Sequence, residues 1–145
     1  MLPKIALVDD EEELHVLFKD LAAMGHFTLA DSCYSAAEAL ERLPAVRPDV
    51  VIMDIRLPDL SGIDCALRLK TLLPQLPVVI LTGYPDSQNF FRSLMDGVLG
   101  FLVKPASPEE IVNAIGQAIK GEFALTKEVV PFLINLVRQD RKSVV

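Results

Sequence analysis

Cysteine is scarce in this sequence, tryptophan is absent and no apolar stretch approaches the length of a membrane span. Cys33 and Cys65 lie far apart, and no Cys or His stands at metal-ligand spacing. That argues against a disulfide framework or a zinc site and points to a reducing cytoplasm. The N-terminus has one lysine before the short run Ile5–Val8, too little for a signal-peptide core. Positive charge is the minority sign: 14 Lys and Arg face 20 Asp and Glu, a formal charge of -6. Nucleic-acid binding by this chain is therefore not expected. There is also no Gly-rich loop ending in Lys-Ser or Lys-Thr, so a nucleoside triphosphate site is not expected either. What is abundant is apolar residue, 51% of 145 with 23% charged, enough for the packed core of one domain.

Those apolar residues fall in short runs, and several runs end in a polar or ionisable residue. Val50–Met53 has four apolar residues without alternation, as in a strand buried on both faces of a parallel sheet, and it stops at Asp54. Ile5–Val8 stops at Asp9 and Asp10, Val78–Leu81 at Thr82, and Leu99–Val103 at Lys104. A weaker strand, Phe27–Ala30, has the polarity of a sheet edge. Between the strands, helical spacing gives Leu14, Leu17, Phe18, Leu21 and Ala22; then residues 36–43, stopped by Pro44; 65–73; and 87–95. Ser107-Pro108-Glu109-Glu110 opens the fifth helix with an N-cap, a first-turn proline and two acids. Five strand–helix pairs over residues 4–120 predict an α/β fold, a five-stranded parallel sheet with helices on both faces.

In such a sheet the strands point one way, and ligands bind beyond their C-terminal ends. Asp9, Asp10, Asp54, Thr82 and Lys104 are thereby expected on one edge. Two carboxylates about 4 Å apart repel by roughly 4 kcal/mol at an effective dielectric of 20, so three of them call for cations. Lys104 supplies one charge, and a hard divalent ion, Mg²⁺ by preference, suits the oxygen donors. The set fits phosphoryl transfer: Asp54 as nucleophile, Asp9 and Asp10 on Mg²⁺, Lys104 and the Thr82 hydroxyl on phosphoryl oxygens.

In this order the residues resemble the receiver domain of two-component response regulators. The resemblance covers about residues 3–120 and rests on Asp9-Asp10, Asp54 with Pro58 and Gly62 after it, Thr82-Gly83, and Phe101-Leu102-Val103-Lys104-Pro105. It implies a flavodoxin-like (βα)5 fold with strand order 2-1-3-4-5, and a Mg²⁺-dependent phosphoacceptor at Asp54. The donor would be a sensor histidine kinase or a histidine phosphotransfer protein. Such a domain is a switch that catalyses only its own phosphorylation and dephosphorylation, and is not an enzyme acting on a separate substrate. The resemblance further implies the Arg56 backbone carbonyl as a metal ligand, Thr82 and Phe101 as switch residues and a cis Lys104–Pro105 bond. It also puts the Arg56 and Tyr84 side chains where family members tune phosphoryl lifetime.

A phosphohydrolase with an aspartate nucleophile is the competing reading, but Arg56 stands where such an enzyme carries its second acid. A pseudo-receiver that only binds partners is a third. His15 and His26 are expected at the surface or at helix ends, with no metal, and Glu11–Glu13 as a solvated helix start. Residues 1–121 are expected to form the receiver domain and 122–145 a helical extension or linker. In that extension Val129, Val130, Leu133, Leu136 and Val137 share a face, Pro131 marks a kink or a late helix start, and Arg138, Arg141 and Lys142 suit the helix's negative end. The extension either folds back or projects and pairs with a second copy; the face of the fourth and fifth helices is the other candidate dimer surface. The extension resembles the linker of regulators that continue into a DNA-binding output domain.

Overall fold

A computed structural model describes the backbone of residues 1–143 and side chains through Gln139. The side chains of Arg141 and Lys142, expected to complement the helix end, lie outside the described residues. The chain alternates β1 (Lys4–Val8), α1 (Glu12–Ala23), β2 (Thr28–Cys33), α2 (Ala36–Val46), β3 (Val50–Met53), α3 (Gly62–Leu72), β4 (Val78–Thr82), α4 (Ser87–Met95), β5 (Gly100–Val103) and α5 (Pro108–Ile119). The strands pair in parallel in the order β2-β1-β3-β4-β5, with β2 at the edge.

The expected five-stranded sheet has a sixth member. β6 (Ala124–Leu125) pairs with β5 in parallel and closes the order as 2-1-3-4-5-6. Two residues carry no periodicity, so no pattern in the sequence marks them as a strand. A 3-10 turn over Lys127–Val129 follows and buries Val129 completely, then α6 runs Val130–Ser143. The segment 122–145 thus adds a strand and a core residue to the domain. Pro131 sits in the first turn of α6, where its missing N–H costs nothing, so the late start is the outcome. Pro44 does not stop α2. It lies in the final turn, and the helix ends at Arg47 in a left-handed conformation, φ 51°.

The apolar runs are buried on both faces because alternate residues serve different layers. Ala6, Val8, Val51, Met53, Ile80 and Phe101 pack toward α2, α3 and α4. Ile5, Leu7, Val50, Ile52, Leu81 and Leu102 pack toward α1 and α5 with Phe18, Leu21, Ile111 and Ile115. α5 begins with the expected Ser107 cap, closed into a capping box by Glu110. α6 lies against α4, turning Phe132 and Leu136 toward the core and leaving Val130, Leu133, Ile134 and Val137 exposed.

Candidate functional site

Strand register places the reactive groups. Val8 pairs with Met53 and Thr82 with Val103, so Asp9, Asp54, Thr82 and Lys104 come to one edge of the sheet. The Asp54 N–H donates to the Val8 carbonyl at 2.9 Å, and the Lys104 N–H to the Thr82 carbonyl at 2.8 Å, carrying the ladder one step past the strands. Asp9 and Thr82 are fully buried, and Asp54 is only 5% exposed.

Lys104 ties the site together. Its Nζ donates to Asp9 Oδ2 at 2.8 Å, to Glu11 Oε1 at 3.2 Å and to Asp54 Oδ2 at 3.2 Å. One ligand atom from each of Asp9, Glu11 and Asp54 lies within 4.8 Å of the others. Burial pushes the Asp9 carboxyl above the ordinary aspartate range, against the hydrogen bonds from Lys104 and the Glu11 N–H. Burial alone would lower Lys104, but the hydrogen bond to Asp9 and the charges of Asp9 and Asp54 leave it above a normal lysine. Three carboxylates share one ammonium, and that surplus of hard oxygen donors fits a divalent cation such as Mg²⁺.

The surrounding loops explain the motif residues. Gly62 opens α3 against the Asp54 carbonyl, where any added Cβ would collide with that oxygen, so glycine is required. Asp59 reaches from the β3–α3 loop to the start of α2, accepting from the N–H groups of Ala36 at 3.0 Å and Ala37 at 2.8 Å. Those N–H groups, Ala37 first, hold its carboxyl below the usual range. The Arg56 N–H lies 3.4 Å from Asp54 Oδ1, and its guanidinium sits over the Tyr84 ring, 3.9 Å from the centroid. Thr82 Oγ1 accepts from the Tyr84 N–H at 3.2 Å, leaving its hydroxyl hydrogen free to donate elsewhere. The Lys104–Pro105 bond is cis. Phe101 is buried, edge-on to Phe90 at 5.3 Å between centroids, and Phe90 lies 6.3 Å from Phe132 of α6.

Among the expected residues, Asp10 is exposed and lies outside the three-carboxylate cluster, whereas Glu11, read as part of a solvated helix start, lies within it. His15 is not at the surface: it is fully buried and bonded to the Asp9 carbonyl. The sequence did hold a signal for it, since His15 stands three residues before Phe18 and six before Leu21 on the buried stripe of α1. Thr126, also unanticipated, is buried at the end of β6 and accepts the Val103 N–H at 3.1 Å, closing the free edge of β5. A cleft of about 520 Å³ opens beside the acids, flanked by Glu11, Leu14, Tyr84, Lys104 and Pro105.

Known proteins resemble this chain in sequence and in fold. A family model described as the response regulator receiver domain matches residues 5–116. The chain is 32% identical to the DNA-binding transcriptional activator DevR/DosR of Mycobacterium tuberculosis, over 93% of its own length and 63% of the relative's. It is 26% identical to the response regulator protein VraR of Staphylococcus aureus, over 96% of its own length and 67% of the relative's. The chain thus spans about two thirds of these relatives. A LuxR-family two-component response regulator from Aurantimonas superposes with a TM-score of 0.85 at 23% identity, covering 93% of this chain and 97% of that one.

Proposed function

The chain belongs to the response regulator receiver family, and from that premise we propose that Asp54 is the residue that takes up the phosphoryl group. The donor would be a sensor histidine kinase or a histidine phosphotransfer protein in the cytoplasm, its docking segment reaching the acids through the cleft beside Glu11, Lys104 and Pro105. The observation that carries this reading is the single ammonium of Lys104 bound at once to Asp9, Glu11 and Asp54. That arrangement holds a nucleophilic carboxylate beside a cation ready to meet phosphoryl oxygens.

In the transfer, an Asp54 carboxylate oxygen bonds to phosphorus as the donor's phosphorus–nitrogen bond breaks, and the electron pair returns to the imidazole nitrogen. Lys104 shifts from the carboxylates toward the phosphoryl oxygens. The Thr82 hydroxyl, whose hydrogen is free, donates to another. Mg²⁺ would be held by Asp9, Asp10, Asp54 and the Arg56 carbonyl, with Glu11 at its margin, and when bound supplies the positive charge that three carboxylates and a phosphoryl group require. Hydrolysis of the acyl phosphate returns Asp54 to its carboxylate, so the chemistry is confined to the chain's own aspartate. The phosphohydrolase alternative finds no support at Arg56, where a guanidinium on the Tyr84 ring replaces the general acid.

The output route we infer runs from Thr82 through Phe101 and Phe90 to Phe132, so that movement at the site alters how α6 lies on α4. α6 itself carries the exposed residues Val130, Leu133, Ile134 and Val137 at helical spacing, which supports a homodimer through this helix rather than through the α4–α5 face. By likeness to the DNA-binding relative, the process controlled would be transcription through a separate DNA-binding portion.

The test is intact mass after incubation with Mg²⁺ and acetyl phosphate. A single phosphoryl adduct is expected on the wild type, absent from Asp54→Asn and from a sample with chelator. An unlabelled wild type, beside a receiver that labels under the same conditions, would leave the partner-binding pseudo-receiver as the reading.

A further inference from the structure

One ionisable side chain at the site has no part in the chemistry above. His15 of α1 is fully buried against Asp9, just past β1, and Ser32 of β2. Its Nε2 lies 2.6 Å from the Asp9 carbonyl oxygen, and its Nδ1 lies 2.9 Å from Ser32 Oγ. A carbonyl only accepts, so Nε2 bears the hydrogen and donates, and the Ser32 hydroxyl can donate to Nδ1. The ring is held flat against Tyr34, centroids 3.8 Å apart and planes at 7°. The Tyr34 hydroxyl in turn donates to Glu12 Oε2 at 2.6 Å.

We propose that His15 is a positioning residue for the acidic loop, fixing the Asp9–Asp10 peptide plane and with it the direction in which Asp10 and Glu11 present their carboxylates. Every polar group of Asp9 is assigned. Its N–H donates to the Cys33 carbonyl at 3.0 Å; Oδ1 accepts from the Glu11 N–H at 2.8 Å; Oδ2 accepts from Lys104; and its carbonyl accepts from His15. The Glu11 N–H on Oδ1 already closes an Asx turn around the peptide after Asp9. The bond from His15 is the one made to the carbonyl of that peptide itself, and it adds the second hold that sets the plane's direction. β2 therefore holds the loop twice, through Cys33 directly and through Ser32 by way of His15. Substituting residues that orient metal-binding groups in this way typically costs about 10- to 100-fold in metal affinity.

This inference rests on the reading of Asp9, Asp10 and Asp54 as a Mg²⁺ site. The experiment measures the Mg²⁺ dissociation constant by calorimetry, with no phosphoryl donor present, beside the thermal midpoint of each variant. His15→Gln places an amide N–H where Nε2 stands; His15→Asn can reach only Ser32; Leu21→Ala thins the same buried face of α1 without touching Asp9. Expected is a loss of affinity of about tenfold in His15→Asn, with His15→Gln and Leu21→Ala staying near wild type. Leu21→Ala should nonetheless lower the midpoint, separating positioning from stability. Equal Mg²⁺ affinity in His15→Asn and wild type, or an equal loss in Leu21→Ala, would overturn the proposal. Failure of the wild type itself to bind Mg²⁺ would be a different result: it would remove the metal site and the positioning role together.

Discussion

Lys104 is one cation among three carboxylates, and its side chain is 13% exposed against 1% for Asp9. Removing one partner of a buried ion pair is worth about 3 kcal/mol because the other is left uncompensated. Lys104→Met should therefore lose about that much stability in metal-free buffer, and Asp9→Asn added to it should restore part of the loss, since one of the two buried stranded charges is gone and Asp54 remains. Denaturant unfolding of the four proteins of the cycle reads this; additive losses would show that Lys104 and Asp9 are not coupled. The sign with pH follows from Asp9. Its pKa is raised in the fold, so its ionisation costs stability above the folded value and the cost fades as pH falls. The Lys104→Met penalty should accordingly shrink on acidification. At this scale Asp9, Asp54, Thr82 and Lys104 were legible because each interrupts an apolar run at the point where a strand must end. Glu11 was not, since an acid at a helix start has an ordinary reason to be there.

Among the elements, the β3–α3 loop is hydrogen-bonded to α2 through Asp59, which accepts from the first two N–H groups of that helix. A carboxylate at a helix N-terminus is favoured by the free N–H groups and by the helix dipole. Its pKa is lowered, so the stabilisation is present above the ordinary aspartate value of 3.8 and is lost as pH falls through the lower folded value. Asp59→Ala should melt below wild type at pH 7, hold the same gap to pH 5, and converge with it at lower pH. Melting curves across that range check it, and a gap that does not close in acid would assign the effect to something other than the carboxylate. The alternation of apolar runs with amphipathic segments made β1, β3, β4 and β5 and their helices readable. β6 was not, because a two-residue strand is defined by its neighbour β5 and by Thr126, and Pro44 misled because it removes one bond, to the Leu40 carbonyl, without ending a helix that runs two residues further.

For the whole molecule, the sequence left open whether the terminal helix folds back or meets a second copy, and the structure packs only some of its apolar residues against the domain. Phe132 and Leu136 are spent on the domain itself, with Phe132 near Phe90. Val130, Leu133, Ile134 and Val137 remain 39–52% exposed, spaced three and four apart along one side of α6. That division could not be read beforehand, because choosing between faces of an amphipathic helix needs the neighbour's shape. A formal charge of -6 opposes self-association through long-range repulsion, whereas burial of an apolar stripe favours it. Salt screens the first and leaves the second, so a dimer formed this way should tighten as ionic strength rises. Sedimentation of the wild type should give a mass above the 16.0 kDa of one chain, more so at high salt. Leu133→Glu with Val137→Glu should return it to one chain while melting as the wild type does when dilute, because neither position belongs to the core. A wild type that sediments as a single chain at every salt concentration would refute pairing through α6.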